Sequence, residues 1–163
     1  MKSTSLDAAD IRILCALQKH GQLSKTRLAE LVGLSSTPCL ARLTRLKAAG
    51  YVRGYHADLA LNKIVEFSKI VVTVSLKSHR KADFERFEAF VRQRPEIIEC
   101  VATGGGMDYV LTVVTRTLAA FQEVVDAMLS IEVEVDRYMT YIVTREVKSG
   151  QPDLAQLTAR RRD

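Results

Sequence analysis

The chain has 163 residues, 47% hydrophobic and 26% charged, a balance that excludes disorder, collagen-like repeats and low complexity and leaves room for one domain or two small ones. No apolar run reaches the length of a bilayer span, and the opening Met1-Lys2-Ser3-Thr4-Ser5-Leu6-Asp7 lacks the apolar stretch of a secretory signal, so a cytoplasmic protein without a membrane partner is expected. The net charge of +5 is unevenly placed: Met1 to Lys63 holds 10 Lys and Arg against 4 Asp and Glu, whereas Ile64 to Asp163 holds 14 against 15. That split fits a polyanion-binding module joined to a nearly neutral one; solvated surface lysines are the alternative.

Asp7 to His20 has Ile11, Ile13, Leu14, Cys15 and Leu17 at helical spacing, and Gly21 stops the helix. Ser24 is a natural N-cap for a second helix, Lys25 to Val32, followed by Gly33. Ser35-Ser36-Thr37-Pro38 opens a third, with hydroxyls available to cap and Pro38 preset for the first turn; its apolar stripe is Cys39 or Leu40, Leu43 and Leu46. Tyr51 to Ala57 alternates around Gly54 as a short strand or wing does. The expected DNA-binding domain is therefore residues 1–57, and residues 58–66 read as a linker.

Beyond the linker the period changes. Ile70, Val72, Val74 and Leu76 alternate as a strand; Phe84, Phe87, Phe90 and Val91 line a helix over Ala82 to Arg94, closed by Pro95. Ile97 to Thr103 and Tyr109 to Thr115 read as a hairpin, Leu118 to Leu129 as a helix, and Val133 to Val147 as a long strand. The order βαββαβ over residues 67–150 is a ferredoxin-like split unit, giving an α+β protein. Residues 151–163, ending Arg160-Arg161-Arg162, read as a tail with at most a short helix.

The strongest local signal lies between Leu28 and Gly50. Ala29 sits where two helices approach closely, and Gly33, four residues on, stands where the turn needs positive φ: the spacing of a helix-turn-helix. The N-terminal part of the third helix would then enter the major groove, with Ser35, Ser36, Thr37, Ala41, Arg42 and Arg45 as candidate DNA contacts. For Arg42 a second role stands open, an ion pair with an acid of the first helix such as Asp10. Cys15, Cys39 and Cys100 are odd in number and far apart, and His20, His56 and His79 are scattered. Reduced thiols are expected, with no metal or other cofactor.

In these residues the chain resembles the Lrp/AsnC (feast/famine) family of transcriptional regulators. The first half carries the resemblance in Leu6-Asp7, Asp10-Ile11, Ile13-Leu14, Leu17, Gly33-Leu34-Ser35-Ser36-Thr37-Pro38-Cys39-Leu40-Ala41-Arg42-Leu43, Leu46 and Gly50-Tyr51-Val52. The second carries it in Glu99-Cys100, Gly105 to Tyr109 and Thr140-Tyr141-Ile142-Val143. The resemblance implies a winged helix-turn-helix on double-stranded operator DNA, homodimers formed through the sheets, assembly of dimers to octamers, and an amino acid or derivative bound between dimers near the glycine loop. The candidate effector residues are Gly104, Gly105, Gly106, Met107 and Asp108: glycine N–H groups can converge on a carboxylate, and Asp108 can pair with an ammonium. The alternative is a hairpin turn in which Asp108 serves only the backbone. Gly-Gly-Met-Asp-Tyr, followed by Val114-Thr115-Arg116, looks like the branch of the family associated with ectoine catabolism. An enzyme is disfavoured, because no nucleophile stands with a base and no glycine loop opens a helix. A nucleoid-architectural DNA-binding protein remains the rival reading.

Overall fold

The computed structural model describes residues 6–159. Three helices come first: α1 (Ala8–His20), α2 (Lys25–Val32) and α3 (Ser36–Ala48). Asp7 caps α1 in a reciprocal box, its carboxylate accepting from the Asp10 N–H at 2.8 Å while Asp10 accepts from the Asp7 N–H at 3.2 Å. Ser24 caps α2, and Gly33 ends it in the left-handed region at φ 66°, ψ 41°, which is where a side chain would be strained. Ile13, Leu28, Ala29, Val32, Cys39 and Leu46 close into one buried core.

Two details depart from expectation here. Ser35 is the N-cap of α3, but its hydroxyl makes no capping bond. The cap would be received from the second or third helical N–H, and the third residue is Pro38, which has none. Residues 51–57 form no strand ladder. The Tyr51 N–H instead donates to Leu46 O at 3.0 Å, and Val52 and Tyr55 pack on the helical core.

The second unit contains β1 (Ser68–Leu76), α4 (Lys81–Arg92), β2 (Ile97–Ala102), β3 (Tyr109–Thr115), α5 (Leu118–Leu129) and β4 (Val135–Ile142). The sheet is antiparallel, in the order β2-β3-β1-β4. Strict alternation along β1 buries Ile70, Val72, Val74 and Leu76 against Phe87 and Val91 of α4 and Phe121, Val124, Val125 and Met128 of α5. β4 is shorter than expected, Val135–Ile142, with the Val143 N–H still reaching Lys69 O at 2.9 Å one residue from the start of β1. The register places Val71 beside Thr112 and Tyr141, and Thr73 beside Val110 and Met139, on the face that no helix covers.

The chain divides into two compact units, one running up to Leu59 and taking back the segment from Ser149 onward, the other Ala60–Lys148. The returning segment forms α6 (Leu154–Thr158), fixed to α1 by Gln18, whose amide donates to Pro152 O at 2.8 Å and accepts from the Leu154 N–H at 3.1 Å. Arg160-Arg161-Arg162 lies outside the described residues. No helix among the described residues is long and apolar enough to cross a membrane.

Candidate functional sites

α3 turns Cys39 and Leu46 inward and leaves Ser36, Thr37, Leu40, Ala41 and Thr44 exposed, with Ser35 exposed at its cap. Its arginines are not free. Arg42 Nη1 bridges Asp7 Oδ2 at 2.6 Å and Asp10 Oδ1 at 2.9 Å, and Arg45 Nη2 reaches Asp10 Oδ2 at 2.6 Å. Of the two roles open to Arg42, it takes the ion pair. Arg45 takes the same one, a partnership 35 residues apart that the sequence reading missed. The spacing of Asp7, Asp10, Arg42 and Arg45 on two facing helices is the signal that could have found it.

Asp10 is only 1% exposed. Burial alone would raise its carboxyl, but hydrogen bonds from Arg45, the Asp7 backbone and Arg42 outweigh that and bring it down to about 2. Asp7 is also held low, chiefly by the Asp10 N–H and then by Arg42. The remaining cation of α3, Lys47, stands over the Tyr55 ring at 5.0 Å from its centroid. α3 is thus clamped to α1 by its charges and presents hydroxyls and methyl groups outward.

The glycine loop between β2 and β3 is exposed over Gly104, Gly105, Gly106 and Met107. Gly105 sits at φ 121°, a backbone conformation closed to side-chain-bearing residues at ordinary cost. The loop is tied at its base. Thr103 N–H donates to Asp108 O at 2.8 Å, Thr103 Oγ1 donates to Met107 O at 2.7 Å, and Asp108 N–H donates to Val74 O at 2.9 Å. The Asp108 carboxylate accepts from the Leu76 N–H at 2.7 Å and lies 3.1 Å from His79 Nε2. His79 stacks on Phe84 with ring centroids 5.9 Å apart. Asp108 therefore serves the β1 end as well as its own loop, and Ser75 and Arg137 stand close enough to contact Gly106 O at 3.5 and 3.4 Å. His79, Ser75 and Arg137 were not legible as neighbours of the loop, because the sheet register brings them there.

Cys15, Cys39 and Cys100 are free thiols, and burial pushes the Cys39 thiol up, away from thiolate chemistry.

Comparison with known proteins gives two family matches: winged helix-turn-helix DNA-binding over residues 6–53 and Lrp/AsnC ligand binding domain over residues 69–153. The transcriptional regulatory protein DoeX of Halomonas elongata is 42% identical, covering 88% of this chain and 90% of that protein. The leucine-responsive regulatory protein of Haemophilus influenzae is 35% identical, covering 90% and 89%. A transcriptional regulator from Neisseria meningitidis, solved as a complex with L-Met, superposes with a TM-score of 0.80 at 37% identity, covering 90% of this chain and 94% of that one.

Proposed function

The chain belongs to the Lrp/AsnC family of transcriptional regulators, and on that premise we propose how its two units divide the work. It is a DNA-binding regulator and not an enzyme. The first unit meets double-stranded operator DNA through the outward face of α3, with Ser35, Ser36, Thr37 and Ala41 at bases and phosphates. Arg42 and Arg45 hold α3 on α1, and Arg45 keeps N–H groups beyond its Asp10 bond for a phosphate. The observation that carries this reading is the clamped helix itself: exposed hydroxyls at its start, in the half of the chain that holds the basic excess.

The second unit senses a small molecule. An amino acid or a derivative places its carboxylate on the backbone N–H groups of Gly104 to Gly106, beside Met107, while Asp108 braces the loop. The methionine bound by the Neisseria regulator supports an amino-acid effector. Two copies pair across the uncovered sheet face, where Val101, Met139 and Tyr141 are 46%, 48% and 48% exposed, and dimers assemble further, to octamers, in the cytoplasm on the nucleoid.

Gel shifts across a salt series with footprinting test this reading. A log-linear fall in affinity with salt and a few imperfectly palindromic footprints are expected. Broad coverage without palindromes, together with no response to a panel of amino acids in calorimetry, would favour nucleoid architecture instead.

A further inference from the structure

All three cations of α3 have a partner within the first unit. Arg42 and Arg45 pair with Asp7 and Asp10, and Lys47 lies over Tyr55. No acid occurs anywhere in the helix. The uncharged part of the outward surface is Thr37, Ala41 and Thr44, which share one face at helical spacing, with Leu40 on its edge, 36% exposed where Cys39 beside it is buried. Guanine is most often read by an arginine or lysine fork on O6 and N7, whereas in this helix both arginines are drawn to carboxylates of the first helix and Lys47 lies over Tyr55. The major groove displays a single apolar group, the C5-methyl of thymine.

We propose that Leu40, with Ala41 and the Thr44 γ-methyl beside it, reads thymine methyl groups, so that the base pairs under the middle of α3 are A·T with a fixed strand polarity. Thr37, nearer the helix start, adds a hydroxyl to a base edge or phosphate. This rests on α3 being the DNA-reading helix and adds to it the identity of the bases and the side chain that selects them. Leu40 is a specificity residue here: its apolar end gains nothing from phosphate, cytosine N4 or guanine O6, and gains burial from a methyl group.

The probe is a duplex selected from a random library by the wild-type protein and resynthesised with deoxyuridine in place of thymine, one position at a time. Uracil keeps every hydrogen-bonding group and removes only the methyl. Wild-type binding should weaken about fourfold at each contacted position and nowhere else. Leu40→Ala should abolish that penalty at the positions beneath Leu40 while leaving the salt slope unchanged, and Leu40→Met, still apolar, should keep it. Circular dichroism of both variants should match wild type, since the site is partly exposed and both residues favour helix. Equal binding of thymine and uracil duplexes by wild type, or a full methyl penalty retained in Leu40→Ala, would overturn the assignment while leaving operator binding intact. Selection that yields no preferred duplex at all would overturn operator reading by α3 and this inference with it.

Discussion

The Asp10 carboxylate, buried on α1, accepts from the Arg45 guanidinium of α3 at 2.6 Å, and Arg42 joins it at 2.9 Å. Replacing Asp10 with Asn removes the charge that draws both arginines inward. We expect Asp10→Asn to lower the stability of the first unit by about 1–3 kcal/mol. The released arginines then turn to phosphate, so non-specific DNA binding tightens at low salt and its salt slope steepens by up to about 2. A slope equal to wild type would mean that Arg42 and Arg45 already contact phosphates in the wild-type complex.

The same carboxylate makes the first unit sensitive to acid. Asp10 is held at about 2 in the folded chain, against 3.8 as the ordinary value, so on acidification the unfolded chain takes up the proton first. Its contribution is complete above about pH 5 and is lost as the pH falls through 4 towards 2, amounting to roughly 2 kcal/mol. Thermal melts of wild type from pH 6 to pH 2.5 should show this loss, and Asp10→Asn should be flatter over the same window.

Asp108 offers a direct separation of its two roles. The Leu76 N–H bond at 2.7 Å needs only an acceptor, which asparagine supplies and alanine does not. Asp108→Ala should lower the stability of the second unit by about 1–3 kcal/mol, whereas Asp108→Asn should lose less and keep amino-acid binding in calorimetry. If Asp108→Asn melts like wild type yet fails to bind the effector, the carboxylate pairs with the ligand ammonium.

Pairing through the sheet face is checked at Met139, which lies beside Thr73 on the uncovered side and is exposed within a single chain. Met139→Lys should leave the fold unchanged but place a charge in the interface, reducing the mass found by light scattering to that of a monomer. An unchanged mass would put the contact between copies on another surface.

The clasp formed by α6 is tested through Cys15, which lines the groove beside Ala155, Thr158 and Ala159. Removing residues 151–163, or Gln18→Ala, should speed thiol labelling of Cys15 and leave that of the buried Cys39 unchanged. Labelling at the wild-type rate in the shortened chain would show that α6 does not shield α1 in solution.

The sequence by itself determined the elements and their order. Asp7 and Ser24 open helices, Gly33 and Pro95 mark ends, and the switch from a period of 3.6 to one of 2 after Phe67 separates the helical unit from the sheet. These signals act over about four residues, the reach of a cap or a helical turn, so they survive without tertiary context. Even the failed Ser35 cap follows from Pro38 three positions on.

Only the tertiary structure decided which partner each long or charged side chain takes. Arg45 is equally able to reach a phosphate or a carboxylate; the packing of α3 on α1 puts Asp10 within 2.6 Å. His79 and Arg137 reach the glycine loop because β1 lies between β3 and β4, and Gln18 holds a backbone 134 residues away because the chain returns to α1. The wing lacks a ladder for the same reason: a strand needs a second strand, and alternation in one segment cannot supply it. Periodicity and capping are properties of neighbours along the chain, whereas pairing depends on which surfaces meet.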